Sequence, residues 1–231
     1  MSLNKQLSLI LLLFWLCPPF SRAISVGDLT FSIPSGTRYI SKKIVNQNSS
    51  ARLYQVSVIA IDKPGQHEIV STPPAGELLY APQQVVLSSG ESEYFKFYYH
   101  GPEDDHERYY RVLYKEIPTQ NYLNYQSDKN AISLDPVIEL STILIVRPRK
   151  VHFRWQLEKQ KGQVINSGNT WFRLISKPSC TATEQQSQSW YLLPGESVTS
   201  PSLTKPGDKY IIYNDQFINI APSCQDQRKD K

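Results

Sequence analysis

The chain has 231 residues, with 25 Lys and Arg against 21 Asp and Glu, for a formal net charge of +4. The two signs are interspersed, so no clustered cationic patch marks a nucleic-acid binder. Three cysteines fit no zinc site, which would want four ligands.

The first segment reads as a secretory signal. Lys5 gives a positive start, Leu7 to Leu16 is almost unbroken apolar sequence, and Ser21-Arg22-Ala23 has the small-x-small form of a cleavage site. The run is too short for a membrane anchor, and Pro18 and Pro19 end it. Leu16 is too large to precede a lipidated Cys17. Cleavage after Ala23 removes residues 1–23 and leaves a length suited to two sandwich domains of about 100 residues each. Export puts the two remaining cysteines, Cys180 and Cys224, in an oxidising compartment, where a disulfide is the default.

No long segment has a helical period. Short runs rich in Val, Ile, Tyr and Thr are separated by Gly, Pro, Asn and Ser, which predicts an all-β protein. Strands are expected at 28–33, 39–46, 52–62, 77–80 with 84–87, 93–99, 109–116 and 134–146. Gln47-Asn48-Ser49-Ser50 and Ser88-Ser89-Gly90-Glu91 read as turns, Glu103-Asp104-Asp105 as a solvated loop, and 118–129 as a long polar connection. Arg147-Pro148-Arg149 closes the first domain, because proline cannot continue a central strand. The second half repeats the texture, with strands expected at 152–158, 162–166, 169–175, 190–193, 196–199, 210–214 and 217–220, and a tight hairpin turn at Asn166-Ser167-Gly168-Asn169. The long run 134–146 carries an apolar comb at every second position, Leu134, Pro136, Ile138 and Leu140. Val137, Ile143 and Ile145 make its other face apolar too, and such a strand is ordinarily buried in a core.

Five segments in this order resemble the PapD-like periplasmic pilus chaperones, and among them the chaperones of the common pilus, on the alternate chaperone–usher branch. They are Val26-Gly27-Asp28; Glu77-Leu78-Leu79-Tyr80-Ala81-Pro82; Phe97-Tyr98-Tyr99-His100-Gly101-Pro102 through Glu107-Arg108-Tyr109-Tyr110-Arg111-Val112; Ser141-Thr142-Ile143-Leu144-Ile145-Val146-Arg147-Pro148-Arg149; and Gly168-Asn169-Thr170 with Leu174-Ile175 and Tyr191-Leu192-Leu193-Pro194-Gly195. The resemblance implies two immunoglobulin-like β-sandwich domains set at an angle with a cleft between them, here 24–147 and 148–231. It implies a periplasmic chaperone that binds and stabilises pilin subunits by donor-strand complementation and delivers them to an outer-membrane usher. A pilin lacks its last strand, and the chaperone's long edge strand fills the gap. On this view Leu134, Pro136, Ile138 and Leu140 form the donor comb, while 143–146 stay with the domain's own core.

The sequence departs from the family pattern in three places. The family holds the pilin C-terminal carboxylate with an Arg on the first strand and a Lys on the long strand. Alignment on Arg147-Pro148 puts Ile143 where that Lys belongs, so Arg38, Lys42, Lys43, Arg111 and Arg147 are the candidate anchors. Cys180 matches a family position, but the family's partner Cys lies a few residues on, whereas here the partner left is Cys224. Ile117-Pro118 is similar to the better-known PapD branch rather than the common-pilus branch.

No catalytic motif stands out: there is neither G-x-S-x-G nor H-E-x-x-H. His100 and His106 bracket Glu103-Asp104-Asp105, but a Gly-Pro surface turn explains that stretch better than a metal loop does. Neither cofactor nor metal is expected. Asn48-Ser49-Ser50 is a glycosylation sequon that matters only in a eukaryotic host. The alternative class is a pilus subunit or adhesin, which would need an apolar N-terminal extension that Val26-Gly27-Asp28-Leu29 does not supply. A secreted eukaryotic immunoglobulin-like binder would want an inter-sheet Cys pair in each domain.

Overall fold

The computed structural model describes residues 24–119, 136–221 and 224. Leu134 and most of the expected polar connection lie outside these residues.

Two sandwiches follow each other along the chain. In the first, a six-stranded sheet runs β1 (Thr30–Ile33), β9 (Ile138–Val146), β8 (Arg108–Pro118), β3 (Arg52–Ile61) and β4 (Val70–Ser71), with β6 (Gln84–Leu87) also on β3. Facing it is a three-stranded sheet of β2 (Tyr39–Val45), β7 (Ser92–Tyr99) and β5 (Leu78–Ala81). Strict alternation builds the core. In β7, Phe95, Phe97 and Tyr99 point inward between exposed Tyr94, Lys96 and Tyr98. They meet Tyr54, Tyr110, Val112, Tyr114, Leu144 and Val146 from the larger sheet.

The second sandwich packs β10 (Trp155–Glu158), β11 (Gln163–Asn166) and β14 (Ser197–Thr199) against β13 (Gln188–Leu192), β12 (Phe172–Ser176), β15 (Lys209–Tyr213) and β16 (Gln216–Asn219). Val164, Phe172, Leu174, Leu192, Leu203 and Ile211 fill it. A single-turn helix, α1 (Pro201–Thr204), is capped by the Ser200 hydroxyl, which accepts from the Ser202 amide. Cys180 and Cys224 are bonded, with Cα atoms 5.5 Å apart and a sequence separation of 44.

Both sandwiches are pinned by the same buried asparagine knot. Asn46 is fully buried; its side-chain amide reaches the carbonyls of Ser50 (2.9 Å) and Leu87 (3.0 Å), and its Oδ1 accepts from the Asn48 amide at 3.0 Å. Asn166 does the same with Thr170 and Leu192, both at 2.9 Å, and with the Gly168 amide at 3.0 Å. Each knot is closed by a turn with a left-handed glycine, Gly90 (φ 78°) or Gly195 (φ 80°), followed by Glu91 or Glu196 folding its carboxylate back onto the amide of Ser88 or Leu193. The stretch after Asn166 is therefore a crossover between sheets, not the expected hairpin, because β12 pairs with β13 and β15 rather than β11.

Candidate functional site

The long strand β9 has two unlike halves. From Ile143 to Val146 it lies between β8 and β1, with Thr30 to Ile33 in parallel register. From Ile138 to Thr142 it pairs with β8 alone among the described residues. The cause sits just before β1. Parallel register would set residues 25–29 beside 138–142, but Ser25 exchanges both backbone hydrogen bonds with Val45 of the opposite sheet (3.2 and 3.1 Å). Gly27 turns the chain at φ 65°, and the Asp28 carbonyl accepts from the Lys42 ammonium. The chain thus reaches β9 only at Leu29, whose carbonyl accepts from the Ile143 amide at 2.8 Å. Because backbone polar groups alternate in direction along a strand, the groups of Glu139 and Ser141 face the open edge.

Side chains alternate as well. Leu140 packs against the first domain's core, and Thr142, Leu144 and Val146 continue that inner face at 1% exposure or less. Ile138, on the same face, is half-buried where the sandwich opens, and Pro136 is exposed before the strand begins. Ile143 and Ile145 belong to the outer face. They join Ile61, Tyr109, Trp171 and Leu193 in a cluster between the domains. This corrects the assignment of 143–146 as a block to the sandwich core: Leu144 and Val146 enter it, while the second domain covers the other two.

The domain junction is built on Glu107 and Arg147, whose side chains are 1% and 7% exposed. Arg147 Nη1 donates to Glu107 Oε2 (3.3 Å), to the Thr170 hydroxyl and to the Trp171 carbonyl (2.9 Å), and its guanidinium lies 4.6 Å from the Trp171 ring centroid. The Glu107 carboxylate also accepts from the Tyr109 hydroxyl (2.7 Å), the Thr170 hydroxyl (2.8 Å) and the Trp171 amide (3.1 Å). Burial pushes the Glu107 carboxyl up and the Arg147 guanidinium down from their ordinary values, and each draws the other back. Such a pair costs desolvation and is kept by the hydrogen bonds that fill its remaining sites. The acidic loop is tied in rather than merely solvated: Asp104 takes Arg108 through two bonds of 2.7 and 2.6 Å, Glu103 pairs with Arg38, and the Asp105 carbonyl accepts from Asn169 Nδ2 at 2.7 Å.

Beside this junction opens a cleft of about 880 Å³. One wall is the segment from Asp28 to Ser32, and the other carries Arg147, Trp171, Arg173, Tyr191 and Ile212. Of the five basic candidates, Arg147 lines it. Lys42 does not line it but packs against its Asp28 and Phe31 wall, 7% exposed, with its ammonium 4.4 Å from the Phe31 ring centroid and its pKa lowered by burial against the pull of Asp28. Arg38 and Lys43 are exposed and do not line it. Arg111 is held on the outer face of β8 by both oxygens of Glu68 and reaches Ser141 Oγ at 2.8 Å. Arg173 was missed by sequence reading. Its Nε donates to Ser189 Oγ (2.7 Å), and it forms no ion pair with a carboxylate among the described residues.

Two immunoglobulin-like sandwiches with a cleft at their junction define a class with solved members. The chain superposes on the class 5 fimbriae chaperone CfaA with a TM-score of 0.55 at 15% identity, covering 87% of this chain and 100% of that one. The SafB chaperone complex with the Salmonella enterica SafA pilin matches with a TM-score of 0.52 at 20% identity over 89% and 96%. Residues 23–152 match the pili and flagellar-assembly chaperone family, PapD N-terminal domain, and the chain belongs to that family. It is 52% identical over 209 residues to the probable fimbrial chaperone EcpE of Escherichia coli K12, covering 90% of this chain and 89% of that one. It is 28% identical over 221 residues to the probable fimbrial chaperone EcpB of Klebsiella pneumoniae strain 342, covering 93% and 97%. Its role is that of a chaperone in pilus assembly.

Proposed function

We propose that the chain acts in the periplasm, after loss of residues 1–23, as a non-enzymatic carrier that completes a pilin subunit with β9 and passes it to an outer-membrane usher. Domain limits of 24–147 and 148–231 serve this reading. The observation that carries it is the edge of β9 at Ile138 to Thr142, which has no neighbour among the described residues. A partner strand laid there would satisfy the backbone groups of Glu139 and Ser141. It would also extend the inner face on which Ile138 and Leu140 already lie, so that the partner's core would run on from the chaperone's own. Leu134 and Pro136 continue the same alternation in the sequence. Arg173, which lines the same cleft as Arg147, is the cleft cation best placed for a subunit's terminal carboxylate, since its described side-chain contacts are a neutral hydroxyl and the Tyr191 ring, whose centroid lies 5.7 Å away.

Ile138→Glu tests the reading. A carboxylate at that position would be buried without a partner in the complex but near solvent in the free protein. Co-purification with a pilin from the same operon should fail, while the free variant melts within about 1 kcal/mol of the parent. Normal co-purification would overturn the reading.

A further inference from the structure

We infer that the outer face of β9 carries a second, apolar subsite that takes one bulky side chain, aromatic or branched aliphatic, from the terminal segment of the bound subunit. This rests on the donor-strand reading and deepens it. The pocket holds about 340 Å³ and is walled by Ile143, Ile145, Trp171, Tyr191, Leu193 and Pro64, with Glu196, whose carboxylate accepts from the Leu193 amide, also lining it. That volume is at the small end of ligand sites and suits a single side chain. Its aromatic wall is pre-formed, with the Trp171 and Tyr191 ring centroids 5.6 Å apart, and Tyr191 is 59% exposed in the free protein. A large aromatic left exposed at the mouth of an apolar pocket gains by being covered.

Its place in the sheet identifies the occupant. A strand added along β9 runs beside Glu139 and Ser141 and then meets β1 at Thr30, which pairs with Ile143. Added chain cannot continue in the sheet past that pair and must leave its plane there. Thr30 and Ile143 both line the pocket, and Thr30, Trp171 and Tyr191 also line the adjoining cleft that holds Arg173. Chain leaving the sheet toward the cleft therefore passes over the pocket. A mostly apolar wall beside a cation accepts an apolar side chain next to a chain end.

The test uses the full chain co-expressed with a pilin from its operon. Tyr191→Ala should leave folding intact and shorten the lifetime of the complex roughly tenfold, as loss of a buried anchor does. Ile143→Ser should act the same way, and Tyr94→Ala, exposed on β7 far from the pocket, should not. Truncating the subunit's bulky apolar residues near its end to Ala, one at a time, should find one whose loss is no longer additive with Tyr191→Ala. A lifetime within about twofold of the parent for Tyr191→Ala, or full additivity with every truncation, overturns the subsite. Ile138→Glu separates the two ideas: if it blocks the complex while Tyr191→Ala does nothing, the subsite fails alone, and if it blocks nothing, the donor reading has failed first.

Discussion

The two halves of β9 share a neighbour and differ in pattern and situation. Ile138 to Thr142 alternates apolar with polar residues, Ile143 to Val146 is apolar at every position, and both pair with β8. They differ in what lies on the far edge, and a neighbour distant in sequence decides that. The pairing of Ser25 with Val45 draws the N-terminal segment to the opposite sheet, so β1 begins late and half of β9 keeps an edge without a neighbour among the described residues. An edge of this kind is usually a liability that proteins blunt. On the proposed reading it is the working surface.

The largest effect that should separate the halves is on stability. Leu144→Ala removes a fully buried side chain and should cost the first domain about 2–5 kcal/mol. Ile138→Ala, half-buried at the open end, should cost about 1 kcal/mol or less, with urea unfolding of both variants as the measurement. Equal losses would mean that the open half is core after all. Hydrogen exchange sharpens the contrast without mutation. The amides of Ile143 and Arg147, bonded to Leu29 and Ile33, should exchange slowly in the free chain, and those of Glu139 and Ser141 quickly. Binding of a subunit should slow the second pair. The smallest effect concerns the clamp on the open half's outer face, where Arg111 holds Glu68 and Ser141 together. Arg111 keeps the Glu68 carboxyl below its ordinary value. Its folded pKa is thus below the unfolded value of about 4.3, so its stabilisation is fully present above that pH and is lost as pH falls through the folded value. Glu68→Gln should cost under about 1 kcal/mol at neutral pH and remove that part of the acid-induced loss in a melt series from pH 6 to 3.

Alternation and turn residues made most strands legible, and the fold with them. Phe95, Phe97 and Tyr99 announce the inner face of β7, and Val70–Ser71 went unread because two residues carry no period. The site was harder. Ile143 and Ile145 advertise a second apolar face on β9, but nothing local says whether a sheet of the same domain or another domain covers it. Arg173 alternates with buried Phe172 and Leu174, which marks it as outward-facing, but alternation cannot show that outward here means into a cleft. Arg147 was visible as the end of a strand, while its partner Glu107 lies 40 residues earlier. The repeat of Leu87-Ser88-Ser89-Gly90-Glu91-Ser92 as Leu192-Leu193-Pro194-Gly195-Glu196-Ser197 was a signal open to reading, and it marks the same turn in both sandwiches.

The bond between Cys180 and Cys224 has a consequence for proteolysis. It encloses β13 to β16 in one covalent ring, together with the exposed stretch around Glu184–Gln186 where a protease would find its easiest cut. A single nick in that stretch opens the ring without releasing a fragment. The second sheet keeps its strands tethered, and the two pieces separate only after reduction.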